Sequence, residues 1–169
     1  SAANLNTIDG ITTVAVNASN VTTISSSTLA AINTLYTSSG VSGLGNEAIT
    51  VSDSGSIAAS TLSAIAAVNT SGTITATSAA TVTGTAAEII ASFGNNTITE
   101  ASNVAITVNS GTVSLSDART IDGYTTGVVT ATIADTRVSD LVGSSPLLDA
   151  NSNNAFTVTI GTADAEITA

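Results

Sequence analysis

Short runs in which every second residue is aliphatic recur along this chain, and between them lie stretches whose aliphatics fall three or four residues apart. The runs TTVAVNAS (12–19), EAITVSDS (47–54), GTITATSA (72–79), NVAITVNS (103–110), GVVTATIA (127–134) and AFTVTIGT (155–162) set Val, Ile or Ala against Thr or Ser. That is the period-two pattern of strands with one buried face. A helix-compatible stretch precedes each run: SAANLNTIDG, SSTLAAINTLY, ASTLSAIAAVN, GTAAEIIASFG, SLSDARTIDG and TRVSDLVG. Ser or Thr at or near the start of each serves as an N-cap, and Gly10, Gly94, Gly123 and Gly143 are expected to be left-handed C-caps. Six helix–strand half-units follow.

The half-units fall into pairs. GNEAITVSDSGSIA (45–58) aligns with SNVAITVNSGTVSL (102–115), which places Ile49 and Ile106 57 residues apart. The same offset joins Tyr36 to Phe93 and Ile8 to Ile65, and Ile121 follows Ile65 by 56. Three modules result, 1–58, 59–115 and 116–169. A half-unit of about 30 residues is too small to bury a core that offsets its conformational entropy, so neighbours must stack. The expected fold is an α/β solenoid of six half-units, with one short helix and one or two strands per coil. An all-β solenoid is the alternative, because Ser- and Thr-rich helices of ten residues are weak alone.

Read from Ala169 on to Ser1, the chain gives EITASAANLNTIDGITT, which echoes the internal TVSLSDARTIDGYTT. The end thus leads in phase into the beginning, as in an excerpt of a continuous array. Further copies joined head to tail, covalently or noncovalently, are the expected partners. A head-to-tail contact that does not close on itself propagates as a filament.

Composition narrows the function classes. The 169 residues carry net charge −10, with 12 acidic and two basic residues, Arg119 and Arg137, and 2% aromatics. With no His or Cys there is no imidazole base, no thiol nucleophile and no N/S zinc site, so no enzyme is expected. So acidic a chain, lacking aromatic platforms, is a poor partner for nucleic acid. No apolar run reaches the roughly 18 residues of a membrane span, and no signal peptide is visible. A chain that starts Ser-Ala-Ala and has no Met reads as part of a longer one. Apolar content of 43% separates it from disordered sequences.

Several phrases carry a resemblance. NTIDGITTVAV, TSSGVSGLGNEAITVSD, GTITATSAATVTGTAAEI and TIDGYTTGVVTA resemble tandem repeats of very large surface or secreted proteins of marine cyanobacteria, adhesin-like or motility-associated. The resemblance covers nearly the whole chain. It implies a structural module of an extracellular or cell-surface polymer and carries no catalytic residues. In the third module DANSNNAF stands in place of GVSGLGNEA, a departure from strict repetition.

Candidate chemistry is sparse. Asp149, Asn151 and Asn153 in LLDANSNNAF have the D-x-N-x-N spacing of a calcium loop, although Asn154 and Ile160 replace the glycine and glutamate of an EF-hand. Calcium is the one cofactor the sequence offers, and a polar turn is the competing reading. Asp9, Glu47, Asp53, Asp117, Asp122, Asp164 and Glu166 recur near turns and helix starts, where capping competes with calcium shared between coils. Thr73, Thr75, Thr77, Thr81, Thr83 and Thr85 raise ice binding, but Thr is an ordinary residue for an exposed strand face. Asp9 and Glu47 are a candidate carboxylate pair for glycoside hydrolysis, but the chain has almost no aromatics to stack a sugar. Sequons stand at Asn17, Asn20, Asn69 and Asn95. The functional expectation is a structural unit that assembles end to end, with a calcium-dependent or surface-glycan-binding adhesin module as the alternative.

Overall fold

The computed structural model describes residues 1–109, 111–142 and 154–160. Its elements in chain order are α1 (Ala2–Ile11), β1 (Val16–Asn17), β2 (Thr23–Ser27), α2 (Leu29–Thr37), β3 (Val41–Ser42), β4 (Ala48–Val51), β5 (Ser56–Ala58), α3 (Ala59–Val68), β6 (Thr73–Ala76), β7 (Thr81–Gly84), α4 (Ala86–Phe93), β8 (Ile98–Glu100), β9 (Ala105–Val108), α5 (Leu115–Asp122), β10 (Val129–Thr136), α6 (Val138–Val142) and β11 (Ala155–Ile160). A helix lies in each of the six helix-compatible stretches, and the architecture is mixed α/β with parallel sheets.

Among the described residues every strand pairing is parallel, which requires a crossover between partners, and each crossover contains a helix. A four-stranded sheet runs β2-β4-β6-β8 and a five-stranded sheet β11-β10-β9-β7-β5, while β1 pairs with β3 alone. In the first sheet Ile24, Ile49, Ile74 and Ile98 stand at one register, spaced 25, 25 and 24 residues apart. In the second, Ile57, Val82, Ile106 and Val129 do the same at 25, 24 and 23. All eight side chains are buried, so each ladder is a continuous aliphatic row. Outward positions between them are Thr, Ser or Ala, for example Thr50, Thr75 and Thr99 at a shared register.

The helices form a third row. Consecutive helices α1 to α5 pack on one another, and α2 to α5 each bury residues three apart, such as Leu29, Ile32 and Leu35 in α2 and Ala59, Leu62 and Ile65 in α3. Ile8, Ile65 and Ile121 hold equivalent places in α1, α3 and α5, so in this row the 56- to 57-residue offset spans two units. The offset means something else in the strands. Ile49 belongs to the four-stranded sheet and Ile106 to the five-stranded one, so that match reflects strand chemistry and not register. Long connections absorb the difference between helix and strand spacing. Residues 12–22 and 38–47 link α1 to β2 and α2 to β4, and there β1 and β3 pair; residues 69–72 and 94–97 do the same job later.

Side chains tie one unit to the next at the helix starts. Ser1, Thr28, Thr85 and Ser114 cap their own helices, and Thr85 forms a full capping box with Glu88. In addition, Ser27 Oγ accepts from the Ala2 N–H at 3.0 Å and Asp53 accepts from the Leu29 N–H at 2.7 Å, each reaching back 24 or 25 residues. The glycine caps depart from expectation. Gly10 lies inside α1, whose C-cap is Thr12, and Gly94 and Gly123 cap α4 and α5 in the right-handed conformation at φ −77° and −67°. Their N–H groups bond to Ile90 and Arg119, finishing the last helical turn without a left-handed reversal. Gly143 lies outside the described residues.

Candidate functional site

The polar centre of the molecule is a corner where α2, β4 and the end of α3 meet. Glu47 is fully buried just before β4, and its carboxylate accepts from the Tyr36 hydroxyl at 2.5 Å and from the N–H groups of Gly45 and Asn46 at 2.9 and 3.1 Å. Gly45 sits at φ +144°, a conformation that L side chains avoid, and this aims its N–H at the carboxylate. Asn69, also fully buried, closes the corner from α3. Its side chain accepts from Glu47 N–H and donates to Glu47 carbonyl, both at 2.9 Å, imitating a strand pairing. Gly72 completes the corner, because a Cβ there would lie 2.2 Å from the Glu47 carbonyl oxygen.

This arrangement holds a fold together and offers no reacting group to solvent. Burial, followed by the hydrogen bond to Glu47 and that carboxylate's charge, pushes the Tyr36 phenol well above its ordinary range. The hydroxyl therefore stays protonated and donating. Nothing in the sequence pattern distinguished Glu47 from the other carboxylates near turns. The signal that marks it is the glycine two residues ahead, which frees a backbone N–H to point inward.

Four other carboxylates act as caps or ties. Asp9 accepts from Ser38 Oγ at 2.6 Å, Asp53 caps α2, Asp117 caps α5 with Ser114, and Asp122 accepts from Asn154. Asp9 and Glu47 thus serve different partners, not a common reacting centre. No group of three or more potential metal ligands comes together among the described residues. Asp149, Asn151 and Asn153 lie outside the described residues, as do Asp164 and Glu166. Of the sequons, Asn69 is fully buried and committed to Glu47. Of the threonines, Thr73 and Thr75 lie on β6, Thr81 and Thr83 on β7, and Thr85 caps α4.

Glu100, at the end of β8, accepts from the buried Ser92 Oγ at 3.0 Å. Burial raises its pKa above the ordinary carboxylate value, outweighing the hydrogen bonds that lower it. A raised carboxylate favours the folded state most below the unfolded pKa of about 4.3 and loses that advantage as pH rises through its folded value. The variant Glu100→Gln is therefore expected to melt higher than the parent at pH 7 and to show a flatter acid-side profile. Thermal melts between about pH 3.5 and 7 test this sign, since the unfolded carboxylate titrates in that window. A lower melting point for Glu100→Gln at pH 7 would contradict it.

Two features of the surface remain. A shallow groove of about 330 Å³ runs beside β5 and is lined by Leu29, Asn33, Asp53, Ile57 and Thr61. It exists because β2 passes straight into α2, contributing no strand to the five-stranded sheet. The second is apolar, with Ile8, Ile11 and Val14 exposed at 45%, 80% and 73% around the end of α1. Among the described residues no helix is long and apolar enough to cross a membrane. Comparison with protein-family models, with curated proteins and with solved structures finds no match to this chain.

Proposed function

We propose that the chain is a structural unit of an extended extracellular polymer, an α/β solenoid whose coils continue from copy to copy as a stiff, non-catalytic shaft. The observation that carries this reading is the pair of aliphatic ladders. Ile24, Ile49, Ile74 and Ile98, and Ile57, Val82, Ile106 and Val129, recur at intervals of 23 to 25 residues through parallel pairings that leave strands at the sheet ends. Such a core has no natural limit along its axis. The resemblance to repeats of giant surface or secreted proteins of marine cyanobacteria points the same way. So does the use of most described carboxylates in caps and inter-unit ties.

Small-angle scattering on one, two and three covalent tandem copies tests the proposal. Six strand levels at about 4.8 Å each should lengthen the particle by about 30 Å per copy at constant cross-section. The same growth in calcium and in chelator supports a purely structural shaft. Compact beads on flexible joints would overturn it, and growth only in calcium would favour an adhesin module.

A further inference from the structure

The two larger sheets of this molecule begin at different units. Ser27 and Val51 are register partners, yet α2 starts two residues after Ser27 and α3 eight residues after Val51. The earlier unit is therefore shorter by six residues, the stretch that in the later one approaches and forms β5. For that reason the five-stranded sheet ends at β5, and the groove of about 330 Å³ lies where a sixth strand would run. The vacancy is internal. Elements α1, β2 and α2 all precede it in the chain, and Leu29, Ala30 and Asn33 of α2 form one of its walls. Strand β5 presents an unguarded edge to it. Gly55 and Ile57 turn their carbonyls toward β7, accepting from the Ala80 N–H at 3.0 Å and from Thr83 Oγ1 at 3.3 Å. Alternation along the strand then turns the N–H and C=O of Ser56 and the N–H of Ala58 into the groove, and among the described residues no strand pairs with that side. Sheet edges are commonly blunted by Lys, Pro or a bulge, and residues 54–58 hold none of these.

We propose that this groove is a docking site for an extended, Lys- or Arg-bearing segment of another protein, which adds to β5 as a parallel sixth strand. The existing ladder defines the segment that fits. Ser56, Thr81 and Ala105 share one register and Ala58, Thr83 and Thr107 another, and between them runs the aliphatic row Ile57, Val82 and Ile106. A segment of the type Thr-Val-Thr extends all three rows at once. Leu29 and Ile57 offer apolar lining to its aliphatic residue, and main-chain bonds to Ser56 and Ala58 supply the rest. Asp53 sets the charge, because it lines the groove just ahead of β5 and no Lys or Arg occurs in the first 118 residues. A cation ahead of Thr-Val-Thr meets that carboxylate, whereas an acidic segment is repelled. The joint uses an edge inside the chain and does not depend on whether copies stack end to end.

Fluorescence anisotropy of a labelled peptide, KSGTVTG with blocked ends, titrated with the full chain reads the joint. Saturable binding is expected. The variant Ser56→Pro removes one outward N–H at an edge position where proline is tolerated. It should weaken binding about tenfold, the scale of one main-chain bond lost at a covered site, with unchanged far-ultraviolet circular dichroism. Reversing the peptide to GTVTGSK, which carries the Lys away from Asp53, should weaken binding as well, and so should replacing the Lys by Glu. Hydrogen exchange followed by nuclear magnetic resonance gives a second readout that needs no variant. The peptide should slow exchange at the Ser56 and Ala58 amides of the parent chain. Absence of saturable binding, equal binding by Ser56→Pro, equal affinity for the reversed or Glu-bearing peptide, or protection centred away from β5 overturns the proposal.

Discussion

Glu47→Ala is expected to cost about 3–5 kcal/mol, since it orphans three donors and each buried group left unsatisfied costs about 1–3 kcal/mol, and so a large part of the roughly 5–15 kcal/mol that holds a domain of this size together. The loss comes from what is left behind. The N–H groups of Gly45 and Asn46 and the Tyr36 hydroxyl would all lose their acceptor inside the protein. Glu47→Gln retains one acceptor oxygen and should lose less. Tyr36→Phe, which removes a single donor to a charged group, should cost about 1.5–3 kcal/mol. Urea unfolding followed by circular dichroism ranks the three. An alanine variant within about 0.5 kcal/mol of the parent, the range of ordinary surface changes, would show that the corner is dispensable. The same corner fixes an alkaline limit. Because the Tyr36 phenol is raised in the folded state, its contribution is complete below the unfolded value of about 10 and declines as pH climbs above it. Tyr36→Phe should remove that decline.

The helices were legible from the sequence and half of the strands were not, for a physical reason. Helices such as LAAINTLYT carry aliphatics three apart over two turns with a Thr cap in front, enough signal to place them within about three residues. The segments TISSS, SIA, TVTG and ITE are three to five residues long and offer one or two aliphatics each. Nothing in so short a segment tells a strand from a turn. The 57-residue offset was visible because the helix row repeats faithfully, with Ile8, Ile65 and Ile121 in equivalent places. The shorter strand interval of 23 to 25 was hidden by connections that differ in length between the early and late units. The Glu47 corner escaped notice because its partners, Tyr36 and Asn69, lie 11 and 22 residues away and converge only once the helices stack. The glycines misled for a related reason: glycine after a helix is compatible with a left-handed cap but does not require one, and here the chain finishes a right-handed turn.

Ile65→Ala and Ile8→Ala should separate a stacked core from a sequence motif. Both residues occupy the same place in their helices, yet Ile65 is 1% exposed between α2 and α4 while Ile8 is 45% exposed at the end of the row. Removing the side chain of Ile65 opens a cavity that the ladders on both sides hold in shape, and about 2–5 kcal/mol should be lost. Removing that of Ile8 forfeits only part of a burial worth about 1.5–3 kcal/mol in full, so the monomer should lose about 1 kcal/mol. The cooperativity of unfolding should change as well. If the proposed solenoid holds and each unit leans on its neighbours, a weak point at α3 divides the array into two shorter halves, whereas one at α1 trims its edge. Denaturant unfolding should therefore show a large loss for Ile65→Ala, with a broadened or divided transition, and a small parallel shift for Ile8→Ala. Equal losses would mean that α1 and α3 contribute alike and that stacking does not set their worth.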